Sequence, residues 1–231
     1  MLFLLPPSES KALGGLPLGI DSIALIFGAM QPARDVVFEA AVNAKLVDPD
    51  LQSAPTLPAI DRYNGTLYGA IHGRGLKGTP TEHNTLTPDE RERVKESVFV
   101  QSALFGLIPA NSLIPNYKFS ANAKLPGINL KKHWSESHDV TWNRLTGQQI
   151  IDLRSKQYAE LAPVPASFDI LTVEVYDKTS GIAMNHFNKK AKGQFLRAFL
   201  QGAETLEEMA RAANLDMKID GSRLMLFTDQ R

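Results

Sequence analysis

The sequence predicts an α+β or mixed α/β fold, organised as a single domain over residues 1–231. Three observations predict it. A hydrophobic share of 43% over 231 residues is enough for a substantial core. Short apolar runs, such as 1–5 and 150–153, read as buried strands among segments of helical period. The two kinds of element mingle without regular βαβ alternation, and no internal repeat or low-complexity stretch divides the chain.

Residues 1–5 form the first strand, ended by Pro6 and Pro7, which cannot donate to a ladder. The polar knot Pro7-Ser8-Glu9-Ser10-Lys11 follows, at a strand end where site residues concentrate. Residues 12–18 are loop. Helices are expected at 20–30 and 33–46, separated at Gln31-Pro32, and a loop with three prolines covers 48–58. Asn64-Gly65 marks a turn between Tyr63 and Tyr68. The Gly- and Thr-rich piece 72–85 reads as an exposed loop. Pro88 opens a helix that is charged to Glu96 and apolar through Ile108, stopping at Pro109.

Pro115, Pro126 and Gly127 break the next stretch, leaving Tyr117-Lys118-Phe119 as strand or loop. A helical region begins at Lys131-Lys132-His133-Trp134. The strand at 150–153 leads to a short helix at 155–161, and strands at 171–176 and 182–187 flank a Lys-Thr-Ser-Gly turn. They deliver the chain to a basic helix. On it Phe195, Leu196, Phe199 and Leu200 share one face, and Lys190, Gln194, Arg197 and Gln201 the opposite one. Lys189, Lys190 and Lys192 crowd its first turn, where the helix dipole is already positive and an anion on the free N–H groups would be stabilised. Lys192 projects to the apolar side, so its ammonium needs an exit, a partner or a ligand. Thr205 and Glu208 make a capping box for the last helix, and Asp220-Gly221 joins two short strands as a hairpin.

The absence of cysteine excludes disulfides, thiolate metal sites and thiol redox chemistry. No run of 18 apolar residues offers a membrane span, and the start lacks the basic flank and length of a signal peptide. The expectation is a cytoplasmic protein with no membrane partner. Net charge is zero, which argues against a nonspecific polycation. The distribution is uneven, however. Residues 97–135 contain no acid but carry Lys118, Lys124, Lys131 and Lys132. Residues 178–203 again contain none but carry Lys178, Lys189, Lys190, Lys192 and Arg197. Two such stretches can build a localised basic cleft.

In order along the chain stand Met1-Leu-Phe-Leu-Leu-Pro-Pro-Ser-Glu-Ser-Lys11, Tyr63-Asn-Gly-Thr-Leu-Tyr68 and Ser102-Ala-Leu-Phe-Gly106. Pro115-Asn-Tyr-Lys118, Trp134, Asp152-Leu-Arg-Ser155 with Tyr158, and Phe187-Asn-Lys-Lys-Ala-Lys-Gly193 with Arg197 complete the set. Together they resemble the YaaA family of peroxide-stress proteins. Residues 12–58 and the last 30 match it poorly. The resemblance implies a single mixed α/β domain with a basic cleft, binding to duplex and branched DNA, and a role in limiting oxidative damage linked to iron. It also implies a helix-hairpin-helix element, whose nearest counterpart is the segment around Leu104-Phe105-Gly106-Leu107-Ile108. An apolar-Gly-apolar hairpin exposes backbone N–H groups to phosphate without reading a base. Two departures bear on ligand contact: Ile108-Pro109 lacks the arginine of many relatives, and Glu9 holds a place where many have lysine, the nearest lysine being Lys11.

The first functional reading is a sequence-nonspecific DNA-binding protein. Lys118, Lys124, Lys131, Lys132, Lys189, Lys190, Lys192 and Arg197 would neutralise phosphates, Gly106 would lend its hairpin, and Tyr68, Tyr117 or Trp134 would stack on unpaired bases. Against it stands the plain alternative of core aromatics and ordinary surface lysines. The second reading is an enzyme, or a binder of a phosphorylated small molecule or nucleotide, with Ser8, Glu9, Lys11, Asn64, Tyr68, Asp152 and His186 as candidate catalytic residues. Glu9 or His186 would act as acid/base, and Lys11 or Lys190 as an oxyanion or phosphate clamp. No nucleophile elbow, P-loop or dinucleotide fingerprint names a reaction or a cofactor. Each of these residues also has a structural reading: Asn64 makes the turn, Asp152 caps a helix and His186 is satisfied in a strand. The five histidines lack metal-site spacing, so no metal is expected.

Overall fold

A computed structural model describes residues 1–19, 28–73, 86–184 and 188–229. The chain runs through β1 (Leu2–Leu5), α1 (Gln31–Asn43), β2 (Thr56–Pro58), α2 (Ala59–Arg62), α3 (Thr66–Ile71) and α4 (Pro88–Ser97). It continues through β3 (Val98–Ser102), β4 (Gly106–Pro109), β5 (Leu113–Pro115), α5 (Leu130–Ser137), α6 (Asp139–Arg144), β6 (Ile150–Asp152) and α7 (Lys156–Ala159). The last elements are β7 (Ile170–Asp177), α8 (Asn188–Leu200), α9 (Leu206–Ala212), β8 (Asp216–Asp220) and β9 (Arg223–Thr228). The result is the mixed α/β fold that the sequence predicts.

Seven strands form one sheet in the order β4-β3-β1-β6-β7-β9-β8, with a separate antiparallel pair β2-β5. The five inner strands are parallel, and the two edge strands β4 and β8 are antiparallel to their neighbours. This explains why Leu2-Phe3-Leu4-Leu5 is apolar without alternation: β1 is an inner strand with parallel neighbours on both sides, and all four side chains are buried. After β1 the sheet grows toward β3, and after β6 it grows the other way, toward β7. The carboxyl ends of β1 and β6 are therefore the topological switch point of the sheet, the place where folds of this kind position ligands.

α8 lies against the sheet, with the Phe199 ring 4.7 Å from that of Phe3, and packs on α3, α4 and α9. Its approach to α3 requires Gly193, since a Cβ there would overlap the Leu67 carbonyl and lie 2.7 Å from the Ala70 Cβ. Elsewhere Trp134 of α5 is fully buried and donates from its indole to the Ala103 carbonyl at 2.8 Å. The capping box at Thr205 and Glu208 forms, and a second one forms at Thr87 and Glu90 ahead of α4.

Several expectations are corrected. The helix expected over 88–108 ends at Ser97, and the β-branched and aromatic run Val98-Phe99-Val100 is strand β3. A tight turn then leads into β4, so the segment read as a helix-hairpin-helix is a helix followed by a β-hairpin, and no helical hairpin forms there. Of the strand expected at 182–187, residues 182–184 contribute a single bridge from Ala183 to Tyr176, and the rest lies outside the described residues. The helix at 20–30 also lies outside them, except for a 3-10 turn at Gly28–Met30, and the next helix is α1.

Candidate functional site

The loop leaving β1 is fixed before it reaches solvent. Lys11 forms a β-bridge with Tyr63, Ala12 N donates to Arg62 O at 2.8 Å, and Asn64 N donates to Ser10 O at 3.0 Å. Gly65 sits directly against Ser8, where any Cβ would collide with the hydroxyl. The Tyr68 hydroxyl donates to Pro6 O at 2.8 Å. Arg62, with 0% of its surface exposed, donates to the carbonyls of Ala12, Gly14, Pro55 and Ile114 at 2.5, 3.0, 2.9 and 3.1 Å.

Within this frame Lys11 is half-buried. Its Nζ donates to Ser8 O at 3.0 Å and lies 4.5 Å from the ring centre of Tyr117 and 5.4 Å from that of Tyr63. Burial pulls its pKa down to about 8; Glu9 opposes that, and the Arg62 guanidinium adds to it. A hydroxyl relay runs behind it, with Tyr63 and Tyr117 2.7 Å apart and Tyr117 and Ser102 2.8 Å apart. Burial pushes Tyr117 up to about 12 and Tyr63 and Tyr68 well above the ordinary value, so all three stay protonated. Tyr158 of α7 faces the same region. Its hydroxyl bonds the Ala121 backbone, and its pKa is raised by burial, with the Glu9 charge acting in the same direction.

On the β6 side, Asp152 and Arg154 form a buried bidentate pair at 2.7 and 2.9 Å, and Asp152 also accepts from Arg154 N at 3.0 Å. Arg154 then reaches Ala162 O at 2.9 Å. Lys192, 8% exposed, sends its Nζ to Leu153 O at 3.2 Å. Burial lowers its pKa to about 8 against the opposing charges of Asp152 and Glu174. That is the partner its position on the apolar face of α8 demanded.

Of the candidate catalytic residues, Ser8, Lys11, Asn64 and Tyr68 come together here, with Glu9 on the exposed part of the same loop. Asp152 is nearby but engaged by Arg154, and His186 lies outside the described residues. Among the cations, Lys131 pairs with Glu160 at 3.2 Å, and Lys132 with Glu136 at 3.9 Å. Arg197 turns inward to Ile71 O at 2.7 Å. Lys118, Lys124 and Lys189 are exposed and Lys190 half-buried, and among the described residues none of the four has a carboxylate partner. Gly106, at φ +70°, turns the β3–β4 hairpin under Trp134. The N–H groups of Leu104 and Phe105 there donate to the Ser102 hydroxyl, and that of Leu107 to His138 Nε2.

Sequence reasoning had Ser102 and Arg154 only as members of the family motifs, with no role, and did not single out Arg62. Tyr63 and Tyr117 stood beside recognisable turn and lysine residues, but only tertiary contact reveals that their hydroxyls meet.

A family model described as "Peroxide stress protein YaaA" matches residues 1–221. The chain belongs to the peroxide stress protein YaaA family. Relatives carry the name UPF0246 protein. One from Corynebacterium efficiens is 32% identical over 260 aligned positions, covering 99% of each chain. One from Streptomyces coelicolor is 28% identical, covering 87% of this chain and 83% of its own. One from Streptococcus pneumoniae is 27% identical over 69% of this chain and 63% of its own. The YaaA match covers both the loop after β1 and the loop after β6. Among the described residues no helix is long and apolar enough to cross a membrane.

Proposed function

We propose that this YaaA-family chain binds duplex or branched DNA through its phosphates, without sequence preference, and thereby limits iron-driven DNA damage under peroxide stress. The observation that carries this reading is the anchoring of both acid-free stretches to the carboxyl edge of the sheet. The first is tied there by Tyr117 to Ser102; the second is tied there by Lys192 to Leu153. Lys118, Lys124, Lys189 and Lys190 belong to these stretches and are not neutralised by carboxylates among the described residues. Phosphate contact of this kind supplies affinity and no base readout.

The test is fluorescence anisotropy with a labelled duplex and a four-way junction over a range of salt. Four engaged lysines give a slope of log affinity against log salt of roughly −4. Replacing all four by alanine is expected to flatten that slope and weaken binding at least about tenfold at moderate salt. Unchanged affinity would sink the proposal. The same variant is expected to lose protection in a peroxide-survival assay.

The convergence around Lys11 favours a second reading, an enzyme or binder acting on a phosphorylated small molecule or nucleotide at the same strand ends. A thermal-shift screen of nucleotides and sugar phosphates tests it: stabilisation lost in Lys11→Ala supports it, and no response to any of them counts against it.

A further inference from the structure

The surroundings of Lys11 suit more than a phosphate clamp. Its loop is fixed by the bridge to Tyr63 and by the buried Arg62, which holds the loop carbonyls of Ala12 and Gly14. Its Nζ has one backbone acceptor, Ser8 O, and two tyrosine rings within 5.4 Å. A hydroxyl relay of Tyr63, Tyr117 and Ser102 stands beside it, and the side chain is only half-buried, at the open carboxyl edge of the sheet. An amine held in one place next to protonated hydroxyls is prepared for addition to a carbonyl.

We infer that Lys11 is a nucleophilic amine that forms an imine with the aldehyde of a phosphorylated 2-deoxy sugar, the group exposed at an abasic site in DNA. For its DNA form the inference rests on the function proposed above. Oxidative damage releases bases and leaves this aldehyde flanked by phosphates, which the lysines of the acid-free stretches would hold. With a pKa of about 8, roughly a tenth of the amine is neutral at pH 7. The neutral Nζ adds to C1′, the carbonyl oxygen takes one proton from the added nitrogen and one from the hydroxyl relay, and it leaves as water with the iminium formed. The iminium keeps the positive charge between the same two rings that hold the ammonium. Glu9, exposed on the same loop and close enough for its charge to act on Lys11, takes a proton from C2′. The C2′–C3′ double bond then forms as the 3′ phosphate departs with its electron pair. Water hydrolyses the imine, returning the free amine and the proton that the relay had given up, so no oxidant or reductant is consumed.

The test is reductive trapping with cyanoborohydride, followed by peptide mapping. One arm uses a duplex with a single abasic site, and a second uses free 2-deoxyribose 5-phosphate. Expected is one covalent adduct on Lys11, at least tenfold weaker in Lys11→Ala and Lys11→Arg and unchanged in Lys218→Ala, an exposed lysine on β8. The arginine variant keeps the charge and removes the nucleophile, which separates this chemistry from clamping. The trapping rate should rise with pH and level off near 8. An adduct on another lysine, or none in either arm, overturns the inference, and does so on wild-type protein whatever the variants' stability. Trapping of the free sugar without duplex binding would instead remove the DNA reading and leave the amine chemistry standing. Duplex binding with no trapping would do the reverse.

Discussion

Arg62 has no exposed surface, and all the hydrogen bonds described for its guanidinium go to backbone carbonyls. Replacing it with leucine strands the carbonyls of Ala12, Gly14, Pro55 and Ile114, so unfolding by urea should show a loss of about 3–5 kcal/mol. Hydrogen exchange should speed up first at Ala12 and Leu16, whose amides lie on that loop. His138 gives the second prediction at this scale. It is fully buried, with Nε2 accepting from Leu107 N at 3.0 Å and Nδ1 facing Trp134 O at 2.5 Å. Nδ1 therefore carries the proton and the ring is neutral. Burial lowers its pKa from 6.5 to about 4, with the Trp134 carbonyl opposing. Between those values the unfolded chain binds the extra proton, so stability falls as pH drops from 6.5 toward 4, by about 3 kcal/mol in all. Denaturation at pH 7.5 and 4.5 checks it, and His138→Gln should flatten the difference. At this scale the sequence made part of the site legible. Lys192 on an apolar helix face needed a partner, and Leu153 O is that partner. Arg62 was not legible, because four carbonyls from three separate segments are a tertiary fact with no local pattern.

At the scale of elements, glycine decides two contacts. Gly193 lets α8 close on α3, and Gly193→Ala forces the backbones apart, at an expected cost of about 1–3 kcal/mol. Because α8 carries Lys192, the same change should loosen the Leu153 contact and weaken DNA binding more than its effect on stability accounts for. Comparing unfolding free energy with duplex affinity separates the two effects. Gly106 makes the β3–β4 turn at φ +70° with Trp134 2.8 Å from a would-be Cβ. The helix from Pro88 was legible from its proline and charge pattern. Its end was not, because the buried strand Val98–Ser102 has no alternation, and a short apolar run continuing a helix carries the same periodicity. The inner strand β1 was legible for the opposite reason: two prolines end it.

Over the whole molecule, zero net charge conceals an unequal availability of cations. The acid-free stretches were visible in the sequence. Which lysines stay available was not, because their carboxylate partners lie outside those stretches: Glu160 holds Lys131, and Glu136 holds Lys132. Both pairs are exposed, so each is weak and screened by salt, but each ammonium still has a competitor that a phosphate must displace. Lys118 and Lys124 have no such competitor among the described residues. The first basic stretch should therefore behave asymmetrically on DNA. Removing Lys118 and Lys124 together should reduce the magnitude of the salt slope by about 2, whereas removing Lys131 and Lys132 should change it by less than about 1. Replacing Glu160 and Glu136 by glutamine should release the second pair and steepen the slope of the otherwise unaltered protein. If the two double-lysine variants shift the slope equally, carboxylate competition does not select the phosphate contacts, and α5 would contribute to the proposed DNA contact as much as Lys118 and Lys124.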